Sequence, residues 1–439
     1  MRQITFREAI NEALTEEMAR DETIFMIGEC VSAEPFQTHK GLFERFGKER
    51  MRDTAISETA IAGAAVGAAL DGYRPIAYMQ FCDFFYISGD EILHKAAKWR
   101  FVHGGNQKVP LVFLALAGGY IHTGPEHSQC TESFILHTPG LKLAFPSNPY
   151  DAKGLLKTAI RDDNPVVFLE HKLLLPTAGD VPEGEYTVPF GVADVKRPGK
   201  DVTLVATGYM VKMALEVADQ LQRDRGISVE VIDPRTLEPL DLETIIASVK
   251  KTKRVVIVDE DTLRCGVGAE IGMQIMENAF DYLDAPVRRV GAANLPIPGG
   301  WYLEQYVLPQ LKDIADAVFA VMGVKEQFSA SFGRPKITVA VTPGAKGELK
   351  RLLATVKPES QGLLRLARTE SGAMGLLVGG QKPDDQTVEH EGSKVLLIGP
   401  ELAGALEGAT IDCRQTIEGP CFFIKTGILA ELPIQRLCP

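Results

Sequence analysis

The sequence predicts an α/β protein of two doubly wound domains followed by a small α+β C-terminal domain, and three observations carry that expectation. Short, almost wholly apolar runs alternate with stretches of helical periodicity from the first residues to about residue 195. The alternation restarts at "DVTLVATG" and closes near Gly323. Beyond the loop-like "KEQFSASFGRPK" the chain carries one clear helix and short, glycine-punctuated strands. The expected boundaries are residues 1–195, 196–325, a linker at 326–335, and 336–439.

In "ITFREAINEAL", Ile4, Ala9, Ile10, Ala13 and Leu14 recur at helical spacing, and Thr5 with Glu8 reads as a capping box. "TIFMIGE", "RPIAYMQF", "VPLVFLALA", "LKLAFPS" and "NPVVFLEH" are strands too continuously apolar to face water on either side. Such strands belong in a parallel sheet covered by helices. The second block repeats the pattern with helices over 211–223, 242–250 and around 269–278, between "DVTLVATG", "SVEVIDPRTL", "RVVIVDED" and "PVRRVG". In the third block, residues 347–355 form the helix.

With 439 residues the chain can bury two or three cores, and 45% hydrophobic with 24% charged residues is ordinary soluble material. A net charge of -11 argues against general nucleic-acid or anionic-membrane binding. Seven cysteines without a CxxC pair suit free thiols in a reducing compartment. Neither a signal-like segment nor a membrane span is visible, so a cytoplasmic protein is expected.

One residue looks misplaced. After Ser57 comes Glu58, and then a run of almost only Ala, Gly, Val, Ile and Leu to Leu70. The plainer account makes Ser57 an N-cap and Glu58 a first-turn acid meeting the helix dipole, worth ~0.3–1 kcal/mol. The functional account buries Glu58 so that it shares a proton with a ligand, since desolvation can raise a carboxyl pKa by several units. Local pattern leaves both open.

The wider pattern favours the second. "ISETAIAGAAVGAALDGYRPIAYMQFCDFFY", "AAKWRFVHGG", "EHSQCTESF", "HTPGLKLAFPSNPYDAKGLLKTAIRDDNPVVFLEHK" and "EVIDPRTLEPLDLETI" together resemble the beta subunit of thiamine-diphosphate-dependent 2-oxo acid dehydrogenases. Pyruvate, branched-chain 2-oxo acid and acetoin enzymes share this transketolase-like subunit. The resemblance runs from about Ile4 to Gly323. It implies that Glu58 hydrogen-bonds the cofactor's aminopyrimidine and drives the tautomer that deprotonates the thiazolium carbon. Phe84 would stack on the pyrimidine, with Gln80 and Ile56 as pocket neighbours; for these the plainer account is strand and core packing. His127 would steady the acyl intermediate and its transfer to a lipoyl group, and Glu29 would take part in proton traffic. Cys30 after Glu29, and Glu126 before His127, depart from the family's usual residues. The resemblance also implies a monovalent cation, potassium, on the main-chain carbonyls of Leu111, Ala159, Ile160, Asp162 and Asn164.

No GDG motif for magnesium and diphosphate occurs; "SGDEIL" is not one. The chain is therefore expected to supply half of a composite site, an alpha subunit completing it and holding the magnesium in a two-alpha, two-beta heterotetramer. A lipoyl-bearing acyltransferase is the implied downstream partner and a 2-oxo acid or acetoin the substrate. The second α/β block would serve mainly subunit association. The third block, from Lys336 to about Ile424, is similar to the HesB-like (A-type iron–sulfur carrier) fold. It has "SGAMG" where that family places its first cysteine, and no terminal CxC, so a domain without a cluster is expected. Two other readings stand beside these: an inactive scaffold, and an iron–sulfur accessory protein.

Overall fold

The computed structural model describes residues 1–324, 339–355, 362–368, 374–382, 385–399, 402, 406, 409–416, 419–425 and 432–436. Residues 1–333 form one compact unit and 334–439 a second. The expected linker at 326–335 lies outside the described residues.

The first unit opens with β1 (Arg2–Thr5) and α1 (Phe6–Arg20). The Thr5–Glu8 capping box forms: the Glu8 amide donates to Thr5 Oγ1 at 3.3 Å and the Thr5 amide to the Glu8 carboxylate at 2.7 Å. There follow β2 (Ile24–Gly28), α2 (Leu42–Phe46), β3 (Met51–Asp53), α3 (Glu58–Leu70) and β4 (Arg74–Phe81). The "SGDEIL" stretch then winds as a π-helix over Asp90–Ala96 before α4 (Ala97–Val102). Next come β5 (Val112–Ala117), α5 (Glu132–Leu136), β6 (Lys142–Ala144), α6 (Pro149–Arg161), β7 (Val166–His171) and β8 (Ala178–Val181), the last paired with β1.

Strands β6-β7-β5-β4-β2-β3 are mutually parallel. Alternate residues enter opposite layers, as the period of a strand demands. Ile76, Leu114 and Phe168 pack with Phe6, Ile10 and Leu155 of α1 and α6. Ala77, Phe113 and Leu169 pack with Ile61, Ala62 and Ala65 of α3. The continuous apolar runs are thus covered on both faces.

The second block comprises β9 (Asp194–Arg197), β10 (Val202–Ala206), α7 (Tyr209–Arg225), β11 (Val229–Asp233), β12 (Thr236–Glu238), α8 (Leu242–Thr252), β13 (Val255–Thr262), α9 (Val267–Ala279), β14 (Arg288–Ala292), α10 (Trp301–Val307) and α11 (Leu311–Met322). Its sheet runs β14-β13-β10-β11-β9, parallel except for β9. The segment "SVEVIDPRTL" holds two strands, β11 and β12. Pro234 offers no amide donor and Arg235 takes a left-handed φ of 62°, so the ladder ends at Asp233. Thr236–Glu238 then pairs antiparallel with β6 at the edge of the first sheet. The blocks also share a core, since Ile245 and Ile271 of α8 and α9 cluster with Phe113 and Leu143.

Among the described residues, the second unit shows an eight-stranded mixed sheet with the helix α12 packed on it. Its elements are β15 (Ala340–Val341), α12 (Pro343–Thr355), β16 (Leu363–Arg368), β17 (Met374–Gly379), β18 (Gln386–His390), β19 (Ser393–Ile398), β20 (Thr410–Thr416), β21 (Gly419–Lys425) and β22 (Leu432–Arg436), in the order β15-β20-β21-β22-β17-β16-β19-β18. Ala345 and Leu349 of α12 pack onto Leu366, Leu396 and Ile411. In the β20–β21 register Cys413 opposes Phe422 and Arg414 opposes Cys421, so the two thiols project from opposite faces. Residues 371–373 of "SGAMG" and Cys438 lie outside the described residues. Among the described residues, no three His, Cys, Asp or Glu side chains gather to hold a metal, and no helix is long and apolar enough to cross a membrane.

Candidate active site

In an open parallel sheet the loops at the carboxyl ends of the strands build the ligand crevice. Six of the residues singled out in the sequence lie there. Strand β2 ends at Gly28 and delivers Glu29; β3 ends at Asp53 and leads to Ile56 and Glu58; β4 carries Gln80 near its end and Phe84 just beyond; β5 leads into the loop bearing His127. These strands are neighbours in the order β3-β2-β4-β5, so the four loops are contiguous.

Glu58 opens α3 and is buried, with 7% of its surface exposed. Ser57 does not act as the expected cap: its backbone is extended in φ and its side chain makes no capping hydrogen bond. Burial, and then the charge of Glu58, push the Glu29 carboxyl up. The two carboxylates therefore share one field, and Glu29 Oε2 is buried without a partner. Gly28, the residue before Glu29, must be glycine where β2 passes β4, because a Cβ there would fall 2.3 Å from the Tyr78 carbonyl oxygen. Ile56 does not pack in the core; it is 79% exposed at the entry to α3.

Gln80 sits in the left-handed region at φ 56°, where the β4–β5 register shifts between Tyr78 and Phe81. A bulge re-aims side chains at a strand end, and a non-glycine left-handed residue costs about 1–3 kcal/mol. Phe84 lies on the short 3-10 turn Cys82–Tyr86 and meets the His127 ring edge-to-face at 5.5 Å. Phe81 meets the same imidazole at 4.8 Å, so His127 rests between two aromatic rings. Lys172 donates to the His127 carbonyl and lies 5.2 Å from the centre of the Phe81 ring. Burial pushes the Lys172 ammonium down and the Asp83 carboxyl up.

The His127 loop is pinned from both blocks. The Gly118 amide closes it onto the Gln129 carbonyl at 2.9 Å, and Thr123 Oγ1 donates to the His127 carbonyl at 2.9 Å. The Gly119 amide donates to Glu260 Oε1 at 2.6 Å, and His171 Nε2 lies 2.8 Å from Glu260 Oε2. His171 Nδ1 accepts from the Leu173 amide at 3.1 Å, which puts the imidazole proton on Nε2, facing Glu260. His122, left-handed at φ 62°, donates its amide to Glu304 at 3.3 Å and brings Nδ1 within 2.6 Å of that carboxylate. Sequence reasoning missed Lys172, Glu260 and Glu304. Their partners lie between 45 and 182 residues away, and no local pattern encodes such pairs.

The five carbonyl positions are not at this site. Leu111 precedes β5, and Ala159 to Asn164 precede β7, so they lie at the opposite, amino edge of the sheet. Two of those carbonyls are engaged by a cation of the chain itself: Arg74 Nη1 donates to Ile160 at 3.1 Å and to Asp162 at 2.9 Å.

Comparison with known proteins now bears on the site. Residues 2–177 match the transketolase pyrimidine binding domain and 191–314 the transketolase C-terminal domain. Over 318 residues the chain is 45% identical to the pyruvate dehydrogenase E1 component subunit beta of Rickettsia felis, covering 72% of this chain and 97% of that protein. The chain belongs to the E1 beta subunits of 2-oxo acid dehydrogenases. It is also 43% identical over 309 residues to the 2-oxoisovalerate dehydrogenase subunit beta of Bacillus subtilis, covering 70% of this chain and 94% of that one. With the acetoin:2,6-dichlorophenolindophenol oxidoreductase subunit beta of Bacillus subtilis it shares 41% over 336 residues, covering 73% and 98%. A solved structure titled split gene transketolase, inactive beta4 tetramer, superposes with a TM-score of 0.59 at 24% identity, covering 74% of this chain and 99% of that one. The E1 beta family is one of oxidoreductase subunits, and the transketolase-like fold expected for the first two blocks is the fold found.

Proposed function

We propose that this E1 beta chain provides the pyrimidine half of a thiamine-diphosphate site, completed by an alpha subunit that holds magnesium and the diphosphate. The assembled enzyme would decarboxylate a 2-oxo acid, or cleave acetoin, and pass the acyl group to a lipoyl-bearing acyltransferase. The observation that carries this reading is Glu58, buried at the start of an almost wholly apolar helix beside Glu29, whose Oε2 lacks a partner. A buried orphan acceptor beside a second buried carboxyl fits a ligand that brings its own donors.

Thiamine diphosphate, when bound, supplies the electron sink for loss of carbon dioxide. The chain's own residues do the rest. Glu58 holds a proton against a ring nitrogen of the aminopyrimidine, in an apolar setting that keeps water from competing for it. Phe84 offers an aromatic face to that ring, and Gln80 and Ile56 line the same side. Ile56, exposed here, becomes covered when the alpha subunit closes the site. His127, held between Phe81 and Phe84 with its carbonyl fixed by Lys172 and Thr123, steadies the acyl group during transfer. Glu29, with its raised affinity for protons, relays them.

The reading extends to the rest of the chain. We place the protein in the cytoplasm, keep the domain boundaries at 195 and 325, and take residues 336–439 as a HesB-like domain without a cluster, used for docking or stability. Recovery of the chain with its alpha subunit from native lysate tests the proposal. Pyruvate, branched-chain 2-oxo acids and acetoin are then assayed with an artificial electron acceptor, with and without thiamine diphosphate and magnesium. Cofactor-dependent turnover that Glu58→Ala lowers at least ~100-fold is expected. An alpha complex silent on all three substrates leaves the inactive-scaffold reading standing instead.

A further inference from the structure

The loop between α6 and β7 is crowded with positive charge. Arg74 Nη1 donates to the carbonyls of Ile160 and Asp162 at 3.1 and 2.9 Å, and Nη2 to Asp163 Oδ1 at 2.7 Å. Lys108 reaches Asp163 Oδ2 at 2.7 Å, Lys142 bonds the Asp162 carboxylate, and Arg100 donates to Asn164 Oδ1 at 2.6 Å. Four basic side chains thus converge on a loop that carries two carboxylates. Two further carbonyls already accept amides, Leu111 from Val166 at 3.0 Å and Ala159 from Asp162 at 3.3 Å. A carbonyl has a second lone pair, so those amides alone would not exclude an ion. Arg74 is different. A dehydrated monovalent cation needs a ring of carbonyl oxygens in place of its water, and a guanidinium nitrogen already shares two of the five. Any ion on those same oxygens would sit against a like charge.

We propose that Arg74 is a built-in cation for this loop: the guanidinium stands where the potassium expected from the family resemblance would bind, and the chain takes no potassium there. The Arg74 charge neutralises Asp163 and aligns the Ile160 and Asp162 carbonyls without any solution ion. Removing it leaves the Ile160 and Asp162 carbonyls without their guanidinium donor, next to Asp162 and Asp163, which keep Lys142 and Lys108, and so frees those two oxygens for a monovalent ion that the parent does not take. The inference does not depend on the catalytic reading, because its readouts are ion binding and melting temperature rather than turnover.

The test uses the full chain and the variants Arg74→Met and Arg74→Lys. Thermal melting is followed in potassium, sodium and choline chloride at equal ionic strength, and bound rubidium is measured by mass spectrometry after gel filtration. The parent should melt at the same temperature in all three salts and retain no rubidium. Arg74→Met should melt lower in choline chloride, regain part of the loss in potassium, and retain rubidium. Arg74→Lys, which keeps a charge, should stay indifferent to the salt. Saturable stabilisation of the parent by potassium, or near-stoichiometric rubidium on it, overturns the proposal. So does a folded Arg74→Met that gains no response to potassium; if that variant does not fold, the parent's salt response and rubidium content decide the matter.

Discussion

Glu260→Gln is the sharpest probe of how the His127 loop is held. The wild-type carboxylate is 3% exposed and accepts two hydrogen bonds, from the Gly119 amide and from His171 Nε2. Glutamine keeps the size but turns one acceptor into a donor. If its oxygen stays on Gly119, its NH2 faces the Nε2 proton of His171. Moving that proton to Nδ1 gives no relief, because Nδ1 already accepts from the Leu173 amide. Flipping the amide only transfers the clash to the Gly119 N–H. Each arrangement leaves one buried donor without an acceptor, and such a group costs ~1–3 kcal/mol. Glu260→Ala strands both donors and should cost ~2–6 kcal/mol, a large share of a typical 5–15 kcal/mol stability.

Urea unfolding measures this directly. For Glu260→Gln the midpoint should fall while the slope stays unchanged, the signature of lost stability without a change in compactness. In the assembled enzyme kcat should fall more than KM rises, because the loop carries His127 rather than the main binding surface. A Glu260→Gln chain within ~0.5 kcal/mol of the parent, the scatter of a neutral surface substitution, would refute the assignment of the His171 proton.

Three further outcomes are expected. Burial pushes the Glu170 carboxyl up to about 8, and neither of its oxygens has a partner. The folded state therefore binds more protons there than the unfolded one, and stability falls as pH rises from about 4.5 towards about 8, by ~1.4 kcal/mol per pH unit for this group. Glu170→Gln should remove that slope, so its advantage over the parent widens with pH in unfolding titrations; a constant difference would show that the carboxyl stays ionised. Gly118→Ala should cost more than ~3 kcal/mol, because φ is 89° and the added Cβ would lie 1.9 Å from His171 Nε2; urea midpoints of the variant and the parent decide it. Iron measured on anaerobically purified protein should be far below one per chain, and near-stoichiometric iron would reverse the cluster-free reading of residues 336–439.

The strands were legible because a parallel sheet covered on both faces imposes a local signature. "RPIAYMQF" occupies Arg74–Phe81 of β4 residue for residue, and "NPVVFLEH" contains β7. The division of "SVEVIDPRTL" was not legible, because hydropathy does not say which sheet a strand joins, and a proline with a left-handed Arg235 sends its second half to the other sheet. Glu58 stood out because a carboxylate opens a run of almost only apolar residues; a first-turn acid also suits the helix dipole, so the choice between the two accounts came from the wider set of motifs. Lys172 and Glu304 broke no local rule. Each is an ordinary charged residue in its own segment and acquires meaning only through a partner the fold brings to it.

Those same partners give the second block a part in holding the His127 loop, beside the subunit association expected of it. Glu260 at the end of β13 and Glu304 on α10, both buried, accept the amides of Gly119 and His122, and Tyr120 donates its hydroxyl to the Pro309 carbonyl at 2.8 Å. Tyr120 and His122 both hold left-handed backbone conformations, at φ 67° and 62°. Such a loop persists only where its surroundings over-determine it, and here the second block provides that restraint. With β12 completing the first sheet and α8 and α9 in its core, the two blocks form one scaffold beneath the candidate site. Substitutions in residues 255–309 should therefore reach the chemistry through the loop even where the subunits still assemble.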